Sequence, residues 1–297
     1  MTASAVPKVR SPAYYAAAHW LHRIQAARAR RINRGGGIWH SGLRILCYHR
    51  ISSDKDELAV SPSAFRAQME LMLQTGAKPQ TLDDAVDTVG DEMLGRHVCV
   101  TFDDGYYDNL ENAIPVLRDL GIPATIFVAT KLIDGSAPVY WYANPPRLLT
   151  WGELHDISQE GRVAIGAHSR THRALPMLPD DEAWDEIAGS RRDVQDRLGR
   201  PVTSFCYPAG LYGARDVRMV SAAGYSVGVT CAPGANGPGQ QPQALRRLMI
   251  GSRDNLKMFE AKLSGLLDQP WGVRDGLDAA ARAVRVPSRV FRNGSTA

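Results

Sequence analysis

Apolar and polar positions along the 297-residue chain follow two alternating rhythms. Short apolar, largely β-branched runs occupy 44–48, 98–102, 124–129, 163–167, 203–207, 226–230 and 247–251. Runs of this length, bounded by Gly, Pro, Asp or Ser, predict buried strands. Between most of them the apolar spacing lengthens to three and four. Phe65, Met69 and Leu73 predict a helix over 62–74, and Ile114, Leu117 and Leu120 predict one over 109–120 that stops at Gly121. Thr150, with Glu153 three residues on, predicts the N-cap of a helix over 151–160, and 181–198, 214–223 and 255–267 complete the alternation. Strand-helix repetition implies a parallel sheet covered by helices, and seven repeats suffice to curl it into a barrel. The expected organisation is one α/β barrel domain over 43–267. An arm over 1–42 precedes it, and a polar stretch over 268–297 follows as a peripheral helix and frayed tail.

Two of the strand-like runs end in chemistry. Asp103 and Asp104 close the run 98–102, and His168 and His172 follow the run 163–167. Adjacent side chains on an extended strand point to opposite faces, so two neighbouring carboxylates share a site only where the strand gives way to a turn. Gly105 predicts that turn. Two histidines and a carboxylate form a common ligand set for a catalytic divalent metal, and the second Asp is then free to act as a base. Asp-Asp-Gly alone is more often a turn, and two histidines four apart are usually surface residues. Together, at strand ends where α/β barrels keep their catalytic groups, they predict a metal hydrolase.

Charge separates the arm from the body. Residues 1–42 carry seven Lys or Arg and no acid, which leaves 28 basic against 31 acidic residues in the remainder, a net charge of −3. A body of that sign argues against a nucleic-acid partner. Tyr14, Tyr15, Trp20, Leu21 and Ile24 lie among the arm's alanines, a pattern for an amphipathic helix on an anionic membrane surface; a solvated extension is the plainer alternative. No stretch reaches the ~18 apolar residues of a spanning helix, and neither a clear signal peptide nor a twin-arginine signal is present. Cytoplasmic and membrane-peripheral locations both stay open. The four cysteines, 47, 99, 206 and 231, have no zinc-knuckle or CxxC spacing and read as small buried apolar residues.

Thr101-Phe102-Asp103-Asp104-Gly105, then His168-Ser169-Arg170-Thr171-His172 with Leu175, then Tyr207-Pro208-Ala209-Gly210, resemble the ordered motifs of the polysaccharide deacetylases, the NodB-homology group of carbohydrate esterases. The resemblance spans about 43–251. It implies a distorted (β/α)7 barrel, a bound divalent metal (usually zinc), and hydrolytic removal of acetyl groups from amino sugars of a glycan, with an extracytoplasmic role by analogy. Carried over, Asp104, His168 and His172 hold the metal, Asp103 takes a proton from water, and the Tyr207 backbone N–H stabilises the oxyanion, with Pro208 stiffening the loop. Two departures stand out. Phe205-Cys206 occupy the place where the family's third motif begins with Arg, so the arginine that orients the base is missing there; Arg246 or Arg247 could supply the charge from another direction. No histidine follows His172, although most members place the acid histidine near the C-terminus. Cys47-Tyr48-His49-Arg50-Ile51 resembles the Tyr-His motif of the exopolysaccharide and poly-N-acetylglucosamine branch, which makes His49 the candidate acid. The stretch 229–236 also resembles that branch. Trp141, Tyr142, Pro208 and Arg247 are the expected substrate-facing residues.

The acetylated glycan substrate, polymeric or lipid-linked, thus follows from the resemblance. Two other readings stay open at this point: hydrolysis of another non-peptide amide on the same barrel, and a weakly catalytic carbohydrate-binding descendant. The complete set Asp103, Asp104, His168 and His172 argues against the last, because a binding surface needs no metal with a free base beside it.

Overall fold

The computed structural model describes residues 42–89 and 96–268; the basic arm to residue 41 and the tail beyond 268 lie outside the described residues. Seven parallel strands form the frame: β1 (Arg44–Tyr48), β2 (His97–Phe102), β3 (Ala124–Val128), β4 (Val163–Ala167), β5 (Ser204–Cys206), β6 (Val227–Val229) and β7 (Leu248–Met249). Their order is β7-β1-β2-β3-β4-β5-β6, and an eighth, two-residue strand, Lys78–Pro79, pairs with β2 off this path. The register is direct, with Leu46 beside Val100 and Leu248, and Ile126 beside Ile165. Leu245 pairs back onto Val229 just before β7, so the segment 245–249 leads from β6 to β1 and closes a distorted (β/α)7 barrel.

Alternation along each strand divides the core in two. Leu46, Tyr48, Val98, Val100, Phe102, Ile126 and Val128 face the helices in the larger apolar cluster. Ile45, Cys99, Phe127, Cys206, Val227 and Val229 form a second cluster, the filling of the barrel. Phe127 takes so much of that space that a Cβ on Gly166 of β4 would come within 2.5 Å of its ring, which explains the glycine in mid-strand.

The outer layer contains α1 (Pro62–Gln74), α2 (Leu82–Val89), α3 (Ile114–Leu120), α4 (Trp151–Gln159), α5 (Ser190–Leu198), α6 (Ala214–Ala222) and α7 (Leu256–Ser264). The periodic pattern marked all of these except α2. Thr150 and Glu153 make the expected capping box of α4, and Gly121 ends α3 in the left-handed conformation at φ 68°. The segments 109–120 and 181–198 are not uniform helices. Each contains a π-type turn, at Asn109–Ala113 and Asp185–Gly189, and both turns border the site described next.

Candidate active site

Asp103 continues the barrel-facing row of β2 set by Cys99 and Thr101, with its N–H donated to the Tyr48 carbonyl at 2.9 Å. The chain then turns sharply. Asp104 and Gly105 take φ values of 70° and 69°, so the turn expected of the glycine begins one residue earlier, on a ligand candidate itself. An acidic residue tolerates this conformation better than most, but strain of order 1–3 kcal/mol per residue is normal for such positions and is common at functional sites. His172, at φ 58°, is a second case.

The two turns bring three donors together. Oδ1 of Asp104 lies 3.6 Å from Nε2 of His168 and 3.6 Å from Nε2 of His172. That oxygen is buried and has no hydrogen-bond partner. His168 donates its Nδ1–H to the Cys206 carbonyl at 2.8 Å, which leaves the Nε2 lone pair facing Asp104. Burial pushes the His168 imidazole down to about 4 against the pull of Asp103, and burial with the neighbouring His168 holds His172 well below its ordinary value. Burial and the adjacent Asp103 push Asp104 up to about 8. Two imidazoles kept as free bases around a buried carboxylate oxygen without a partner fit a divalent cation, which supplies the missing charge.

Asp103 is treated differently. Burial works against its charge, but Arg247 overrides this and holds the carboxyl well below the usual range. The guanidinium meets it bidentately, Nη1 on Oδ1 and Nη2 on Oδ2 at 2.7 Å each. Arg247 is itself fixed by Nε on the Thr230 carbonyl at 2.9 Å and Nη1 on Thr101 Oγ1 at 3.2 Å. Arg247 is 1% exposed, so the structure corrects its expected role. It stands inside the barrel behind Asp103, where it supplies the charge missing from the third motif, and it does not face substrate. Cys47 and Cys206 complete this pocket, each with Sγ 3.5 Å from Asp103 Oδ2. Burial keeps both thiols protonated, since their values are raised well above normal. They act as weak donors to Asp103 and not as inert packing, a role that spacing could not reveal.

His49 follows β1, with its ring nitrogen within 4.8 Å of an Asp103 oxygen and the Cys47 sulfur. Its Nδ1 is buried without a partner, and burial lowers its pKa despite Asp103. The Asn109 amide, on the first π-type turn, donates to the His49 carbonyl at 3.0 Å. The second π-type turn fixes the histidine loop. Glu186 accepts the N–H groups of Arg170 at 2.9 Å and Thr171 at 2.8 Å, while Arg170 reaches Asp193 and Asp185.

On the third loop, Pro208 is buried, and the Tyr207 expectation needs correction. The Tyr207 N–H is donated to the Val229 carbonyl at 3.1 Å, within the barrel ladder, and its hydroxyl goes to the Gln243 carbonyl at 2.8 Å. The next residue with an N–H, Ala209, is left-handed at φ 53° and donates to no acceptor among the described residues. Trp141 and Tyr142 are both near the site, half-buried and tied to protein groups. Trp141 packs on the His172 ring at 4.5 Å between centroids, and Tyr142 hydrogen-bonds Asp56. Tyr106 and Tyr140, which the sequence did not single out, contact Asp104 and His172 respectively.

A parallel α/β barrel with acids and histidines gathered at the C-terminal ends of its strands has the layout of a barrel hydrolase. Comparison with known proteins makes this specific. The family model described as polysaccharide deacetylase matches residues 90–228. The YxkH protein of Bacillus subtilis (strain 168), whose name places it among polysaccharide deacetylases, is 31% identical over 226 residues, 75% of this chain and 77% of that protein. The chain belongs to the polysaccharide deacetylase family. Solved structures share the barrel. IcaB from Ammonifex degensii superposes with a TM-score of 0.67 at 24% identity over 77% of this chain and 99% of that one. The Streptococcus pyogenes deacetylase PplD does so at 0.66 and 21%, over 75% and 98%.

Proposed function

We propose that the protein uses a divalent cation, zinc by its donor set, to hydrolyse the acetamide of N-acetylated amino sugars in a polysaccharide or lipid-linked saccharide. The observation that carries this reading is the buried Oδ1 of Asp104, without a partner and faced by two imidazole nitrogens at 3.6 Å. Asp104, His168 and His172 would hold the cation, and nitrogen-rich sets of this kind suit zinc. When bound, such a cation supplies Lewis acidity to the acetamide carbonyl and brings the pKa of water close to neutral. Asp103, kept ionised by Arg247, accepts the proton of the attacking water. The Ala209 N–H, on the turn after Pro208, replaces Tyr207 as the backbone donor to the oxyanion. His49 protonates the departing amine, and acetate leaves. The Streptococcus pyogenes structure was solved in complex with acetate, the same small product.

The seven basic residues of the arm would hold the enzyme against an anionic membrane, near its glycan. A panel of N-acetylated oligosaccharides set against simple amides tests the substrate class: acetate release confined to the sugars supports the reading, and equal turnover of small amides contradicts it.

A further inference from the structure

Tyr140, Trp141 and Tyr142 stand on the connection between β3 and α4, the first two tied to His172 and the third to Asp56. The Tyr142 hydroxyl bonds Asp56, one of three carboxylates that surround Arg50 together with Asp54 and Asp108. The Tyr140 hydroxyl donates to the His172 carbonyl at 2.9 Å and lies 3.3 Å from His172 Nδ1. Between them the Trp141 ring packs on the His172 imidazole at 4.5 Å and 45°, and its Nε1–H donates to the Tyr106 hydroxyl at 2.9 Å. That hydroxyl adjoins the Asp104 carboxylate. A phenol has one proton. Because Tyr106 accepts from the indole, its own proton stays available to its two neighbours, the Asp104 carboxylate and the Tyr142 hydroxyl.

One side chain therefore reaches two of the three candidate metal ligands, one through ring packing and one through a donor chain. We propose that Trp141 is a positioning residue for the metal site: it fixes the ring plane of His172 and, through Tyr106, the rotamer of Asp104, and it is not a stacking platform for sugar. This inference rests on the metal-hydrolase reading. The geometry favours it over the platform role because the indole N–H is spent inside the protein and the ring already packs against both Tyr140 and His172. Partners one step behind a metal ligand typically govern affinity by 10–100-fold.

The test uses the full-length protein, with zinc affinity read by competition against a chromophoric chelator and ligand geometry read from the visible spectrum of the cobalt(II) form. Wild type should take up one equivalent. Trp141→Phe keeps a ring but loses the N–H, and Tyr106→Phe loses the relay. Each should weaken zinc binding by about 10–100-fold and alter the cobalt spectrum. The double variant should be no weaker than either single one, since both act through one hydrogen-bond chain. Trp141→Phe with wild-type zinc affinity and spectrum, but a raised KM for acetylated oligosaccharides, would return Trp141 to the sugar-binding surface and overturn the inference. A wild-type protein that takes up no stoichiometric metal brings down the metal reading and this inference together, so the two failures are distinguishable.

Discussion

Replacing Arg247 with Met strips the buried Asp103 carboxylate of its bidentate partner while keeping most of the side-chain volume. Both groups lie inside the barrel, Arg247 at 1% and Asp103 at 2% exposure. Removing one member of such a pair strands a buried charge and typically costs about 3–5 kcal/mol. In a domain of this size each kcal/mol moves Tm by about 2–4 °C, so thermal unfolding should shift down by about 6–20 °C. The sign of the pH effect follows from the pair. Asp103 is depressed when folded, so its contribution to stability is present above the unfolded carboxylate pKa of ~3.9 and is lost as pH falls through the folded value. Without Arg247, burial dominates and Asp103 titrates upward. The acid limb of kcat/KM for an acetylated oligosaccharide should therefore move to higher pH, with activity partly regained in alkaline buffer. Adding Asp103→Asn to Arg247→Met removes the stranded charge and should recover part of the lost stability, a favourable coupling in a double-mutant cycle. If Arg247→Met loses less than about 1 kcal/mol and keeps the wild-type pH profile, Arg247 does not hold the base.

The two adjacent aspartates should separate cleanly. Asp104→Ala or His172→Ala should abolish metal content and acetate release together, whereas Asp103→Asn should keep its metal and slow by about 10²–10⁴-fold; a metal-free Asp103→Asn protein would reverse the two assignments. His49→Ala should leave metal affinity intact and depress amide turnover strongly, yet spare an activated aryl acetate whose leaving group needs no proton. Normal rates on both substrates would make His49 a structural residue. Deleting residues 1–40 should leave turnover of a soluble oligosaccharide within a few-fold, while binding to anionic vesicles falls, at about 1 kcal/mol per basic side chain near the surface. Equal vesicle binding by both proteins ends the membrane-arm idea.

Local pattern and long-range contact were legible to very different degrees. The seven strands of the barrel frame lie within one or two residues of the apolar runs, because burial on both sides leaves continuous β-branched stretches that turn residues punctuate; the two-residue strands Arg50–Ile51, Ala59–Val60 and Lys78–Pro79 left no such mark. The pairing of Asp104 with His168 and His172 could be read as well, since parallel strands deliver their C-terminal ends to one face. Contacts made by side chains across the barrel were out of reach. Cys47 and Cys206 looked like packing, and only the shared interior of β1 and β5 shows that both meet Asp103. Arg246 and Arg247 were equivalent on paper, and the pleat decides between them by turning Arg247 inward. The Tyr207 N–H looked available because its capture by Val229 depends on the β5–β6 register, which one residue of slip would change. The π-type turns likewise leave no mark on a helical pattern; they are visible only through what they aim, Asn109 at His49 and Glu186 at the histidine loop.

Acetate release from N-acetylglucosamine oligomers by the chelator-stripped protein, followed by stepwise return of zinc, tests the central claim most directly. The account predicts negligible release from the stripped protein and recovery that saturates at one metal per chain. Full activity in the stripped protein, or no release at any metal loading, would contradict it.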